Sequence, residues 1–165
     1  MKRIFIIASL LLITISSFAQ SGKSIYEKYS DKETISAVYI SPAMFKMIGK
    51  IPDFKVENDD INLAPIINSL SGMYILNFSA TSANKQIRDS FNDDMKRFIS
   101  SNKYELLLEA KEDGEMVRMY TIGDAKIVNG FVILANQKEE LAFICIEGKM
   151  SRADLEKALE KQIKK

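Results

Sequence analysis

Ser41 stands in the stretch YISPAMF, where a predicted strand passes into a predicted helix. A serine on such a corner is the nucleophile of many hydrolases, but the tight turn needs glycine two residues before and two residues after it. Tyr39 and Ala43 occupy those positions, and the chain has no histidine to serve as the base. Because Pro42 follows at the position favoured for the first residue of a helix, we interpret Ser41 as a helix N-cap.

Serine–lysine chemistry does not need histidine, and the stretch from Ser100 to Lys103 has the S-x-x-K spacing. That spacing works when both side chains lie on one helical turn. Lys103 falls in the predicted turn that leaves a helix, so we interpret the match as a coincidence. Glu105 and Glu109 could flank a glycosidic bond, although we favour an exposed strand face for both. No catalytic residue is predicted.

Metal and phosphate ligands are equally sparse. Zinc sites use cysteine or histidine, and Cys145 is the only such residue in the chain. Residues 57–60, with the sequence ENDD, form the densest acidic cluster, but they lack the glycine and the spacing of an EF-hand loop. Residues 21–24 resemble the end of a phosphate-binding loop, whose first glycine would fall at Ser17. No metal-binding or cofactor-binding residue is predicted.

The first nineteen residues have the order of a signal peptide. A basic pair at residues 2–3 precedes an apolar run at residues 4–15, and Ser17 and Ala19 supply small residues before a cleavage site. The apolar run is shorter than the roughly 20 residues that span a membrane. We predict cleavage after Ala19, and an exported single domain of residues 20–165 in the periplasm or outside the cell. A buried N-terminal helix is the alternative.

Composition limits the classes of partner. The 165 residues include 23 basic and 22 acidic ones, and removal of the basic pair at residues 2–3 leaves 21 against 22. This balance gives no electrostatic reason to expect nucleic acid or an anionic membrane as a partner. One cysteine excludes an intrachain disulfide, and Cys145 lies in the apolar stretch LAFICIEG, which predicts a packed thiol rather than a reactive one.

Periodicity predicts an element order of β-α-α-β-α-β-β-β-β-α. The predicted strands cover residues 34–41, 73–80, 104–112, 115–122, 125–135 and 141–148. The predicted helices cover residues 42–49, 63–71, 82–101 and the chain from 151 onward. Because the last four strands follow one another with short turns, they must be antiparallel. We therefore predict an α+β fold, with a largely antiparallel sheet of about six strands and helices packed on one face.

The predicted turn at Asp113-Gly114 fixes a register for the first hairpin. It places Glu112 opposite Glu115, Glu109 opposite Arg118, and Leu108 opposite Met119. One face should lie under the helices, and it holds Leu106, Leu108, Ala110, Val117 and Met119. The other face should lie near solvent, and it offers a candidate contact surface for a partner or a lipid-like ligand, formed by Leu107, Met116, Arg118 and Tyr120.

Four stretches of the chain resemble the bacterial family known as domain of unknown function 4252 (DUF4252). They are SIYEKYSDKETISAVYISPAMFKMIGK, INLAPIINSLSGMYIL, KYELLLEAKEDGEMVRMYTI and FICIEGKMSRADLEKAL. The family is best represented in small exported proteins of Bacteroidetes-type bacteria, so the resemblance implies an exported single-domain protein. It implies no activity, cofactor or catalytic residue.

Three hypotheses for function follow. The first is a non-catalytic binding or interaction module of the cell envelope, whose partner is an unknown envelope protein. The second is a periplasmic carrier of a small apolar ligand, which needs a cavity of at least roughly 300 Å³. The third is a secreted hydrolase, which needs several titratable groups in a water-poor hollow, with an acid held neutral beside a hydroxyl.

Overall fold

The computed structural model describes residues 21–49, 64–79 and 85–163, which form five helices and six strands. The helices are α1 (Gly22–Tyr29), α2 (Pro42–Ile48), α3 (Ala64–Ser69), α4 (Lys85–Ser101) and α5 (Arg152–Ile163). The strands are β1 (Ile35–Ile40), β2 (Leu70–Ser79), β3 (Glu105–Glu112), β4 (Glu115–Gly123), β5 (Ile127–Asn136) and β6 (Glu140–Ser151). The predicted signal peptide and the acidic stretch at residues 57–60 lie outside the described residues.

The six strands form one antiparallel sheet in the order β1-β2-β6-β5-β4-β3. Strands β3 to β6 follow one another as a meander, and β2 and β1 extend the sheet from the other side of β6. The predicted α+β class is therefore confirmed. Asp113 and Gly114 join β3 to β4 with φ angles of 48° and 84°, a left-handed backbone that suits a two-residue hairpin turn.

The core lies between one face of the sheet and the helices α1 and α4. Phe91 of α4 packs 4.5 Å from Phe78 of β2 and 5.7 Å from Phe143 of β6, measured between ring centroids. Tyr29 of α1 packs edge-on against Phe78 and Phe91. The spacing of Ile87, Phe91, Met95 and Phe98/Ile99 predicts one apolar stripe on α4. The structure confirms it, because Phe91, Met95 and Phe98 belong to this core. We call this side of the sheet the covered face.

Helix α1 was not among the predicted elements, and its sequence explains why. Only Ile25, Tyr26 and Tyr29 give it an apolar side, and the rest of its eight residues are polar or glycine. Ser21 starts the helix, since its side chain accepts a hydrogen bond from the Ser24 backbone N–H. Tertiary packing of Ile25 and Tyr29 stabilises a helix that is too short and too polar to be predicted from periodicity.

The boundary between α3 and β2 also differs from the prediction. Residues 63–71 have helical spacing, but the helix ends at Ser69 and β2 begins at Leu70. Leu70 pairs with Gly148 and Gly72 pairs with Glu147, so this stretch joins the ladder with β6. Ladder hydrogen bonds to a long neighbouring strand override the local helical preference here.

The β3–β4 hairpin has the predicted register, with Glu112 opposite Glu115 and Leu108 opposite Met119. The predicted assignment of its faces is wrong. Tyr120 lies opposite Val132 of β5, whose side chain is fully buried in the core, so Tyr120 belongs to the covered face. Both faces of the hairpin are rich in apolar residues, and alternation alone cannot tell which of them the helices cover.

A β-bulge in β3 also changes the predicted faces of this strand. Leu106 lies opposite Tyr120 and Leu108 lies opposite Met119, so Leu107 is the extra residue of the bulge. Leu106 therefore does not share a face with Leu108, as a regular alternation would require. The bulge lies in an edge strand, where such irregularities are common.

The other three helices lie at one end of the sheet. α2 follows the end of β1, α3 leads into the start of β2, and α5 follows the end of β6. The antiparallel pairing of these strands places the three junctions together, and α3 contacts both α2 and α5. Within the described ranges, every helix is too short or too polar to cross a membrane.

Candidate binding surfaces

Ser41 is the N-cap of α2, as predicted. Its side chain accepts a hydrogen bond from the Met44 backbone N–H at 3.3 Å, and Pro42 is the first residue of the helix. The hydroxyl therefore satisfies one of the free N–H groups at the helix start.

The other serine and acid candidates also serve structural roles. Ser100 donates a hydrogen bond to the Arg97 carbonyl within the last turn of α4, and Lys103 follows the helix with a φ angle of 57°. Glu109 forms ion pairs with Lys111 at 2.7 Å and with Arg118 at 2.6 Å. The hydrogen bonds from Lys111 and Arg118 hold the pKa of Glu109 below its usual value, so this carboxylate stays ionised.

Asp94 of α4 is the buried charged residue among those whose burial the structure describes, and no motif in the sequence singled it out. It is 2% exposed and accepts hydrogen bonds from Lys28 at 2.5 Å, Tyr29 at 2.6 Å and Arg97 at 2.6 Å. Burial would raise the pKa of Asp94, but these three donors outweigh burial and hold the pKa below its usual value. The group thus joins α1 to α4 through an ionised carboxylate, rather than an acid kept neutral for proton transfer.

A signal for Asp94 exists in the sequence. Position 94 lies three residues after Phe91 and four before Phe98, so it falls on the apolar stripe of α4. A charged residue on a buried stripe requires partners from another element, and α1 supplies them.

Cys145 lies on the covered face and is fully buried, as its sequence context predicted. Burial and then the charge of Glu147 raise the pKa of its thiol, which opposes formation of the reactive thiolate. Among the described residues, no three Asp, Glu or Cys side chains are grouped closely enough to hold a metal ion.

A groove runs along the covered face, between α4 and strands β4 and β5. Its volume is about 480 Å³. The sheet side of this α4 groove is formed mainly by Met116, Arg118, Tyr120 and Leu134. The helix side is formed mainly by Met95, Lys96 and Ile99. Because α4 packs over β2 and β6, it leaves this part of the sheet only partly covered.

Three of the four residues predicted to form a contact surface therefore line one groove. Met116, Arg118 and Tyr120 lie at alternate positions of β4 and share its covered face. Leu107 does not join them, because it is the extra residue of the β3 bulge, and the residue is 52% exposed. The groove itself could not be predicted, since the position of α4 across the sheet is not encoded in any one element.

The charged residues that line the α4 groove, Lys96 and Arg118, are both basic. Arg118 and Lys111 share the single carboxylate of Glu109. At the Met116 end, Arg88 donates a hydrogen bond to the Asn136 side chain at 3.5 Å, and Asn136 lines the groove. The groove thus combines an apolar interior with the guanidinium of Arg118 and the ammonium of Lys96, which suit an anionic group.

The opposite face of the sheet carries a row of large apolar side chains across all six strands. Consecutive strand pairs align Val38, Ile75, Ile144, Ile133, Met119 and Leu108. Val38 and Leu108, at the two ends, are 49% and 50% exposed, and the four central residues are only partly buried. We call this side the open face.

Two flanking rows extend the open face, and Thr121 is the one buried residue in them. One row consists of Ser36, Asn77, Ala142, Ala135, Val117 and Ala110. The other consists of Ile40, Met73, Ile146, Phe131, Thr121 and Glu105. Glu105, at one corner, is the single charged residue in the three rows.

Comparison with known proteins places the chain in a family. Neither the curated proteins nor the solved structures gave a significant match. The family model described as domain of unknown function (DUF4252) matches residues 27–158, which is most of the chain and all of the sheet. The protein belongs to the DUF4252 family.

Proposed function

We propose that this protein is an exported, non-catalytic binding module of the cell envelope, and that its ligand occupies the α4 groove. The observation that carries the proposal is the groove itself. Its volume of about 480 Å³ exceeds the roughly 300 Å³ at which small-molecule sites begin. Its lining is mainly apolar, with a few polar groups that can orient a ligand.

The lining favours a single-chain amphiphile with an anionic head group. Met95, Ile99 and Leu134 offer apolar contacts for an alkyl chain. Arg118 offers N–H donors to a carboxylate or phosphate, since a guanidinium has five N–H groups and its bonds to Glu109 and Tyr120 do not use all of them. This proposal unites the binding module and the carrier of an apolar ligand in one site.

The titratable groups favour binding over hydrolysis. Asp94 and Glu109 are both held ionised by basic partners, so neither is poised as a general acid. Ser41 and Ser100 make hydrogen bonds that belong to helix ends.

Fluorescence titration tests the groove. A fatty acid that carries a dansyl group is added to the purified protein, and an unlabelled fatty acid is then used to displace it. We expect saturable binding of one probe per chain. Met116→Glu should abolish binding, because it places an anion in the groove. Met47→Glu is the matched control, since Met47 lies outside the groove on α2 and is 67% exposed.

The head group is tested with Arg118→Gln. This variant should weaken the acid by about tenfold, which corresponds to roughly 1.4 kcal/mol and to one charged hydrogen bond. It should leave the affinity for the matching fatty alcohol unchanged. Absence of saturable binding, or binding that Met116→Glu leaves intact, would contradict the assignment of the groove.

Export is tested separately. We expect the protein recovered from the producing cells to begin at Gln20, as measured by intact-mass spectrometry of the periplasmic and extracellular fractions. A chain that keeps residues 1–19 and remains in the cytoplasm would contradict the proposed location.

A further inference from the structure

We propose that a second copy of this chain covers the open face, so that two sheets pack face to face as a symmetric dimer. The proposal does not depend on the α4 groove, because the groove lies on the opposite side of the sheet. It starts from the central apolar row, which runs from Val38 to Leu108 without a polar residue.

The chemistry of the open face suits a dry interface. Isoleucine, methionine, phenylalanine, valine and alanine fill most of its positions. Partly exposed apolar groups on this scale mark an interaction site in a soluble protein. Sheets that pack face to face bury such surfaces at a separation of about 10 Å.

The size of the open face matches a stable dimer. Six strands spaced about 4.8 Å apart, and rows spaced about 6.8 Å apart, give a patch of roughly 30 Å by 20 Å once the side chains at its borders are included. The corrugated surface of such a patch approaches the ~800 Å² per partner that a standard interface buries.

The charge pattern favours a second copy over a different protein. Selective hetero-association uses complementary charges around the contact. The three rows of the open face hold a single charged residue, Glu105 at one corner, and the other charged residues of this side, Glu112, Glu115 and Glu140, lie beyond the rows at one border and are all acidic. In a symmetric dimer the same patch contributes from both chains, so an uncharged apolar surface is complementary to itself. A twofold axis between the sheets, near Ile144 and Ile133, places the central row of one chain on the central row of the other.

Sedimentation velocity tests the dimer. The full-length gene product is purified from the producing cells and measured from nanomolar to high micromolar concentration. We expect a reversible dimer in the wild type. Ile144→Lys should sediment as a monomer, with dissociation at least a hundredfold more favourable, because two ammonium groups would be buried near the axis. Met47→Lys is the control on an exposed apolar residue outside the face, and it should remain a dimer.

A second variant controls for the possibility that Ile144→Lys fails to fold. Val38→Lys combined with Leu108→Lys changes only the half-exposed ends of the central row, which the folded monomer tolerates. It should also be monomeric, with an unchanged circular dichroism spectrum. A wild type that is monomeric throughout the concentration range, including one that instead binds vesicles of neutral phospholipid, would overturn the proposal. A dimer that persists in the double variant would do the same.

Discussion

The two faces of the sheet carry similar side chains in different surroundings. On β6, Phe143 and Cys145 point to the covered face and are fully buried, whereas Ile144 and Ile146 point to the open face and are only partly buried. The difference arises from α1 and α4, which pack on one side alone. An apolar strand face is therefore not by itself a sign of the core, since it equally marks a surface that another molecule covers.

The two faces also divide the candidate functions. The covered face supplies the α4 groove, where an incomplete helix layer leaves room for a small ligand. The open face supplies a broad flat surface, which suits another sheet. A variant that alters one face should therefore leave the function of the other face unchanged.

Alanine substitutions at two neighbouring residues of β2 should differ most in their effect on the free energy of unfolding. Leu76→Ala removes a fully buried side chain from the covered face and should lower the free energy of unfolding by about 2–5 kcal/mol. Ile75→Ala, on the open face, should cost roughly 1 kcal/mol in the monomer, because the side chain is already partly hydrated. Urea denaturation of dilute protein measures both values, and equal losses would break the comparison.

The buried carboxylate on the covered face should have the next largest effect. Asp94→Asn should lower stability at pH 7 by about 1–3 kcal/mol, since the amide has no negative charge to attract Lys28 and Arg97 and its NH₂ group cannot accept a hydrogen bond. The expected loss of stability is moderate because both basic side chains are largely exposed to solvent.

The effect of Asp94 should depend on pH in a defined direction. The pKa of Asp94 is lowered in the folded protein. Its ionised carboxylate therefore contributes fully to the free energy of unfolding above the pKa of about 3.9 that it has in the unfolded chain. That contribution is lost as the pH falls through the lower pKa of the folded state. Urea midpoints of the wild type and Asp94→Asn should therefore converge below pH 4, and a difference that persists at low pH would contradict this account.

Substitution of the N-cap of α2 should change stability by a smaller amount, because Ser41 lies on neither face of the sheet. Ser41→Ala should cost about 1 kcal/mol, because the Met44 N–H loses its acceptor. Ser41→Asp should restore most of that loss, as an aspartate caps the same N–H group. Thermal denaturation of the two variants measures this, and a loss in Ser41→Ala that aspartate cannot restore would indicate another role.

The smallest effect should come from Glu109→Gln at the rim of the α4 groove. Glu109 pairs with Arg118 and Lys111 in solvent, where ion pairs contribute little to stability. Denaturation should therefore be almost unchanged. Binding of the anionic probe should strengthen, because Arg118 loses its competing carboxylate. An unchanged affinity would contradict the proposed contact between Arg118 and the anionic head group.

Local features of the fold were predictable because they depend on a few adjacent residues. The Asp113-Gly114 turn, the α4 stripe and the N-cap at Ser41 are examples. Asn129-Gly130 could turn a tiny hairpin, but the apolar run that resumes at once favours a bulge inside one bent strand, and the ladders of β5 with β4 and β6 both shift there within one continuous strand. Two of these features rest on turn or cap chemistry that few residue types satisfy.

The remaining features depend on contacts between distant segments. The choice of the covered face follows from where α1 and α4 pack, and α1 itself is stabilised by the sheet rather than by its own sequence. The α4 groove exists because a helix in one segment leaves β4 and β5 partly uncovered. Met116, Arg118 and Tyr120 could be grouped from strand alternation, whereas Leu107 could not be excluded without the bulge.

Thiol labelling on β6 tests the contrast between the faces most directly. The native Cys145 is compared with the cysteine introduced by Ile144→Cys in a Cys145→Ala background, in folded protein diluted until sedimentation shows a monomer. We predict that the native thiol stays unreactive toward a disulfide reagent and that the introduced thiol reacts readily. Rapid reaction of Cys145, or protection of the introduced thiol in the monomer, would contradict the account of one covered face and one open face.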